Sequence, residues 1–233
     1  MSDDPTVVWH EAECGGYEAD LELWEELAAG SGGTTLDLGC GTGRVALHLE
    51  RRGRRVLGLD IEPGYVAALG ENGVVGDARD FDLDAEFGLI LAPMQLLQLF
   101  AGPDERARCL RCVERHLVAD GLAAFAIVES MPSPLDAPPP LPDTREVDGW
   151  VYSSLPIETA VDGDAIRVRR LRQTVSPTGE LSEELDEVVL RALDAAALEE
   201  EARGAGLRPA GRRTIPATDA HVGSTAVLLE RGA

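Results

Sequence analysis

The run Leu36-Asp37-Leu38-Gly39-Cys40-Gly41-Thr42-Gly43-Arg44 has the residue types and spacing of a ligand-holding turn. Gly39 and Gly41 permit a tight bend and let a ligand approach the backbone closely. A helix predicted to follow offers free N–H groups and the positive end of its dipole. The turn is not a phosphate loop of the G-x-x-x-x-G-K-[ST] kind, because no lysine follows. It also departs from the dinucleotide pattern G-x-G-x-x-G, since Arg44 stands three positions beyond Gly41. Asp37 repels a pyrophosphate at this place but attracts an ammonium group. Two further acids come next in the chain. Asp60, in Gly58-Leu59-Asp60-Ile61, can accept hydrogen bonds from both hydroxyls of a ribose, or can simply cap a helix. Asp77, in Gly76-Asp77-Ala78, is a candidate for an adenine amino group, or an ordinary surface acid.

These acids need strand ends to hold them. A helix with Leu21, Trp24 and Leu27 on one face is predicted first, then a breaker at Ser31-Gly32-Gly33. Next come a short apolar strand into the glycine turn, a helix ending near Gly53, and a second strand ending at Asp60. A brief third strand falls at Val74 and Val75. A fourth is stopped by Pro93, a helix spans Asp104 to Val118, and a fifth strand runs from Leu122 to Glu129. The strands are apolar throughout rather than alternating, as in a parallel sheet buried on both faces.

The pattern then changes. A proline-rich loop covers 131–143. Three antiparallel strands follow, with turns at 161–164 and 176–179. A helix from Asp194 and two final strands end the chain. The expected architecture is α/β, a Rossmann-like seven-stranded sheet with an antiparallel β insert after strand five. Its parts are an N-terminal helical cap (1–33), a ligand-binding core (34–130), the insert (131–192), and a C-terminal helix and hairpin completing the core sheet (193–233).

Composition narrows the partners. With 21 basic and 42 acidic residues, the formal charge is -21, a field that opposes nucleic acid. Arg167, Arg169, Arg170 and Arg172 are the best candidates for a local basic patch. Cys109 and Cys112 form a lone C-x-x-C, but on a helical pattern they read as half-buried small residues. No His, Cys and acid cluster has ligand spacing, so no catalytic metal is expected. No apolar leader or membrane span is read, and the cytoplasm is the expected location.

With its motifs in this order, the chain resembles the class I S-adenosylmethionine-dependent methyltransferases, and in residues 10–130 their bacterial small-molecule branch. The Asp37–Arg44 run, Asp60 and the Gly76–Arg79 segment carry the likeness, with support from the Asp20–Trp24, Leu89–Phe100 and Asp104–Leu117 stretches. The resemblance implies S-adenosyl-L-methionine as cofactor. It places Asp37, Gly39, Cys40 and Gly41 around the methionine part, with the Gly39 carbonyl meeting its amino group. It places Asp60 on the ribose, Ile61 beside the adenine, and Asp77 with the Ala78 backbone on the adenine edge. Ala92 closes the methionine side, and Tyr17 helps cover the cofactor. The short stretch between Asp60 and Asp77, and the single glycine before strand five, depart from the family pattern.

Methyl transfer is a direct displacement, which requires an acceptor held in line about 3 Å from the methyl group. Glu129 closes the fifth strand and is a candidate amine binder or base. Gln95 is a candidate for orienting substrate, and His10 and His221 are candidate general bases. Met94, Trp150 and Tyr152 are candidate substrate contacts. The expected activity is methyl transfer to a nitrogen or oxygen of a small molecule, by a monomer or homodimer. A non-catalytic cofactor-binding regulator, an RNA methyltransferase and an NAD-dependent oxidoreductase remain alternatives.

Overall fold

A computed structural model describes residues 4–130, 141–218 and 221–232. Its elements are α1 (Pro5–Cys14), α2 (Leu21–Gly30), β1 (Thr35–Leu38), α3 (Arg44–Arg51), β2 (Val56–Asp60), α4 (Pro63–Val66), β3 (Gly73–Val75), β4 (Phe87–Ala92), α5 (Leu96–Leu99), α6 (Pro103–His116), β5 (Leu117–Ile127), β6 (Asp143–Val147), β7 (Trp150–Asp162), β8 (Ala165–Val175), β9 (Leu181–Arg191), α7 (Ala195–Gly204), β10 (Leu207–Ile215) and β11 (Ser224–Arg231). The chain divides into two compact units. One holds residues 18–129 and 193–233, and the other holds 1–17 and 130–192.

The larger unit is built on a seven-stranded sheet of order β10-β11-β5-β4-β1-β2-β3. Strands β3, β2, β1, β4 and β5 run parallel, and β11 lies antiparallel to both β5 and β10. β1 and β4 are buried at every residue, which explains their unbroken apolar sequence. The chain order reverses between β1 and β4, so both strands deliver their carboxyl ends to a topological switch point, where sheets of this kind bind ligands. Helix α6 turns Cys109, Leu110, Cys112 and Val113 into the core. The two cysteines of the C-x-x-C form no disulfide and lie on a helix as expected, but fully buried rather than half-buried. The connection from β2 to β3 is short, made of α4 and a 3-10 turn over Ala67–Asn72.

Helix α2 buries Leu23, Trp24, Leu27 and Ala28, so its inner face is rotated from the Leu21–Trp24–Leu27 stripe of the sequence reading. The acidic run of α7 is also not wholly solvated. Glu201 forms a two-pronged pair with the buried Arg106 at 2.6 and 2.7 Å. Among the described residues, no helix is long and apolar enough to cross a membrane.

The smaller unit is a four-stranded antiparallel meander, β6-β7-β8-β9. The insert therefore has one strand more than the sequence reading assigned. The extra hairpin turns at Asp148-Gly149, both with positive φ. The proline-rich loop lies mostly outside the described residues. Helix α1 belongs to this unit, so residues 1–33 do not form one cap. Trp9 meets Tyr152 edge-on at 5.1 Å, and the Arg172 guanidinium lies 5.2 Å from the Trp9 ring centre. Glu13 accepts from Arg172 at 2.8 and 2.9 Å and from the buried Ser154 hydroxyl at 2.7 Å. Burial alone would raise the Glu13 carboxyl. The Arg172 and Ser154 hydrogen bonds outweigh it and hold the group below its ordinary range.

Candidate functional site

β1 ends at Leu38 and the chain turns at once through Gly39, Cys40, Gly41 and Thr42. Gly39 and Gly41 take φ of 64° and 55°, a region that favours glycine. A Cβ on Gly39 would also press on the Leu96 side chain at 3.0 Å. The amides of the turn are mostly spoken for. Gly39 and Cys40 both donate to the Leu59 carbonyl, at 2.8 and 3.1 Å, and Gly41 donates to Asp60 Oδ2 at 2.9 Å. A phosphate loop needs its N–H groups aimed at the ligand. Here they brace the turn against β2, beside two carboxylates.

Asp60 sits at the carboxyl end of β2. Besides Gly41, it accepts from the Glu62 amide at 3.0 Å through Oδ1. An ionised carboxylate has about four acceptor sites, so each oxygen retains capacity for a further donor such as a ribose hydroxyl. Ile61, next in the chain, is 63% exposed. A large apolar side chain standing open beside a carboxylate suits the face of a flat heterocycle.

Asp37 is 1% exposed. Its Oδ2 accepts from the Ala46 amide at 3.1 Å and so caps α3, which lacks a side-chain cap of its own. Its Oδ1 has no hydrogen-bond partner among the described residues. Burial raises the carboxyl to about 7, against the pull of Arg44. Arg44 itself is gripped by Asp20, whose two oxygens accept from both terminal guanidinium nitrogens at 2.6 and 2.7 Å. Asp20 is fully buried and also accepts from the Trp24 indole at 2.7 Å. The sequence reading missed this Asp20–Trp24–Arg44 clamp. Asp20 and Trp24 are one helical turn apart, but Arg44 lies on a different element, and no local pattern joins them.

The remaining cofactor candidates are placed less uniformly. The Cys40 side chain faces inward, its thiol donating to the Gly41 carbonyl at 3.4 Å, and burial pushes that thiol up from its ordinary range. Its amide and carbonyl are bonded too, to the Leu59 carbonyl and the Gly43 amide. The Ala78 and Ala92 side chains lie in the core, with Ala92 closing β4. Asp77 is bound on both oxygens by Arg79, with contacts of 2.9 and 2.7 Å, and this keeps its carboxyl below the ordinary range. Arg79 continues to Glu105 at 3.1 Å and lies over the Phe100 ring. The arginine therefore occupies the carboxylate that the sequence reading offered to adenine. Tyr17 is buried in the smaller unit.

The acceptor-side candidates do not form one cluster. Glu129 Oε1 accepts from the Ala195 amide at 2.8 Å, and Oε2 from the Thr225 hydroxyl at 2.6 Å. It ties the end of β5 to α7 and β11 and remains exposed. Gln95 begins α5, and its carbonyl accepts from Gln98 and Leu99. Met94 lies just before it, half-buried. Gln98, which the sequence reading passed over, is fully buried and bonds both main-chain groups of Val128, at 3.0 and 2.8 Å. It extends the order of β5 beyond its last paired residue. His221 lies between β10 and β11 against Thr218. His10, Trp150 and Tyr152 belong to the smaller unit, where Tyr152 packs on Trp9 and Trp150 is 42% exposed. The four arginines of β8 are all ion-paired, to Glu187, Glu158, Asp143 and Glu13. Among the described residues, no group of His, Cys and acids could hold a metal.

Comparisons with known proteins agree with this geometry. A methyltransferase-domain family model matches residues 35–121. The cypemycin N-terminal methyltransferase of a Streptomyces species is 32% identical over 99 residues, a match that spans 40% of this chain and 40% of that protein. DesVI of Streptomyces venezuelae superposes over 100% of both chains with a TM-score of 0.73 at 18% identity. The sugar N-methyltransferase KedS8 of a Streptoalloteichus species gives 0.71 at 22% identity, over 97% of this chain and 91% of that one. CalS10, an amino pentose methyltransferase of Micromonospora echinaspora, gives 0.70 at 18% identity over 96% of each. At these identities the structures share the fold. Taken with the glycine turn and the strand order, the family match makes residues 35–121 similar to a methyltransferase domain, on a fold that the S-adenosylmethionine-dependent methyltransferases share.

Proposed function

We propose that this protein transfers a methyl group from S-adenosylmethionine to a nitrogen or oxygen of a small molecule, with an amine nitrogen favoured. The observation that carries the reading is the trio at the strand ends. Asp60 has acceptor capacity left, Ile61 stands open beside it, and Asp37 has one buried oxygen without a donor. These suit a ribose, an adenine face and an ammonium group in turn, so the residues present fit the cofactor. A pyrophosphate would meet two carboxylates and a turn whose amides are already bonded, which counts against the oxidoreductase reading.

Bound there, S-adenosylmethionine supplies a methyl carbon made electrophilic by its sulfonium. The chain's own residues hold the two ends of the cofactor and fix its register along the strand ends. Gln98 and Glu129 keep the end of β5 rigid. A neutral amine can attack without a strong base, whereas a hydroxyl gains more from one. Names among the relatives point the same way, with an N-terminal methyltransferase, a sugar N-methyltransferase and an amino pentose methyltransferase. Pairing of all four β8 arginines leaves that strand without an open basic track for RNA.

The test is calorimetry with S-adenosylmethionine and, separately, NAD, followed by incubation with a panel of amino sugars and other small amines. Micromolar cofactor binding, with S-adenosylhomocysteine formed only when an amine is present, is the expected result. NAD binding without S-adenosylmethionine binding would overturn the proposal. Tight cofactor binding with no turnover on any amine or hydroxyl compound would favour the regulator.

A further inference from the structure

The larger unit commits Arg44 to Asp20 rather than to the buried Asp37. Arg44 opens α3 and delivers both terminal guanidinium nitrogens to Asp20. Asp37 lies close enough to feel that cation, yet one of its oxygens has no donor. The other charged groups facing Asp37 are acidic. Asp60 comes from β2 and Asp20 from the residue before α2. Cys40, in the turn, faces it as a thiol. Its partners along the sheet are Gly58 and Leu91, which carry no charge. A carboxylate in such a place lacks both solvent and an uncommitted cation.

We propose that Asp20 is a positioning residue that, by holding Arg44, keeps Asp37 protonated in the empty site, so that taking up a ligand with an ammonium group releases a proton from Asp37. This rests on the reading of Asp37 as the neighbour of the cofactor's methionine end. The step balances simply. The Asp37 O–H bond breaks, its proton passes to buffer, and the carboxylate left behind faces the incoming ammonium. An unsatisfied buried oxygen and a missing counter-charge are supplied by the same group. The position of Asp37's carboxyl near 7 agrees with this exchange occurring at neutral pH.

The experiment is calorimetry of S-adenosylhomocysteine binding at pH 6.5 in buffers of different ionisation enthalpy, repeated with 5′-methylthioadenosine, which lacks the amino-acid end. Release of about 0.7 proton is expected with the first ligand, and none with the second. Affinity for S-adenosylhomocysteine should fall roughly fivefold to tenfold from pH 7.5 to pH 6, while that for methylthioadenosine stays level. Asp37→Asn should abolish the release. Asp20→Asn should reduce it at pH 6.5, because Arg44 then acts on Asp37 alone and moves its titration to lower pH. Equal proton release with both ligands would overturn the role of Asp37. Unchanged release in the Asp20→Asn protein would overturn the role of Asp20. Binding of S-adenosylhomocysteine with no proton release would overturn the linkage and leave the cofactor reading standing. Absence of binding at every pH would remove both.

Discussion

Replacing Asp37 by asparagine should stabilise the cofactor-free protein, and the gain should depend on pH in a defined way. Burial moves the carboxyl from 3.8 to about 7. The folded protein therefore keeps a proton that the unfolded chain gives up above pH 4. Each unit of difference corresponds to about 1.4 kcal/mol. Stability carried by the protonated group is intact below about pH 4. It is lost steadily as pH rises and levels off once the folded-state group ionises near 7. The loss is worth about 4 kcal/mol in all. Asparagine has no such titration, and its carbonyl can still accept from the Ala46 amide and cap α3. Urea unfolding of both proteins at half-unit intervals from pH 4 to pH 8.5 isolates the effect, because every other carboxylate cancels in the difference. The stability of Asp37→Asn relative to wild type should climb by about 1.4 kcal/mol per pH unit and then flatten. A difference that stays level across the range, or falls as pH rises, would refute the account of this site.

Asp60→Ala removes the acceptor for the Gly41 and Glu62 amides and the proposed ribose contact. S-adenosylmethionine affinity should drop about tenfold to a hundredfold by calorimetry, and an unchanged value would detach Asp60 from the cofactor. Gly88→Ala should sharply reduce accumulation of folded protein, because a Cβ there would overlap the Gly32 carbonyl at 1.5 Å, a main-chain group that must move for the variant to fold. Soluble expression with a wild-type melting temperature would contradict the packing at β4. Cys40, Cys109 and Cys112 are buried, so at most one of the four thiols should react with a disulfide reagent in the native protein, against four after unfolding. Rapid reaction of two or more would show that the core around α6 opens readily.

The strand sequence, the glycine turn and the order of its acids were legible because each depends on neighbours within a few residues. Leu36, Ile90 and Phe125 announce buried strands by their company alone. The dispositions that sequence could not give depend on partners from distant elements. Glu129 looked like an uncommitted acid at a strand end until Ala195 and Thr225 arrived from the far side of the insert. Asp77 lost its side chain to an arginine two residues away, a local pairing that was visible in principle. Arg44 was noticed only because it was not a glycine, and its grip on Asp20 spans 24 positions. Tyr152 was offered to substrate, and the sheet gives it to Trp9.

The membership of α1 in the smaller unit has a consequence for the growing chain. Trp9 leaves the ribosome more than a hundred residues ahead of Tyr152 and Arg172, so its ring waits for them. At roughly 5–20 residues per second, the helix spends some ten to thirty seconds of synthesis without the surface that covers its tryptophan. Residues 18–129 emerge in the meantime with five of the seven strands of their sheet already present. Anyone exchanging the four-stranded unit between proteins must therefore move two separate pieces of gene, because residues 1–17 and 130–192 make one compact unit.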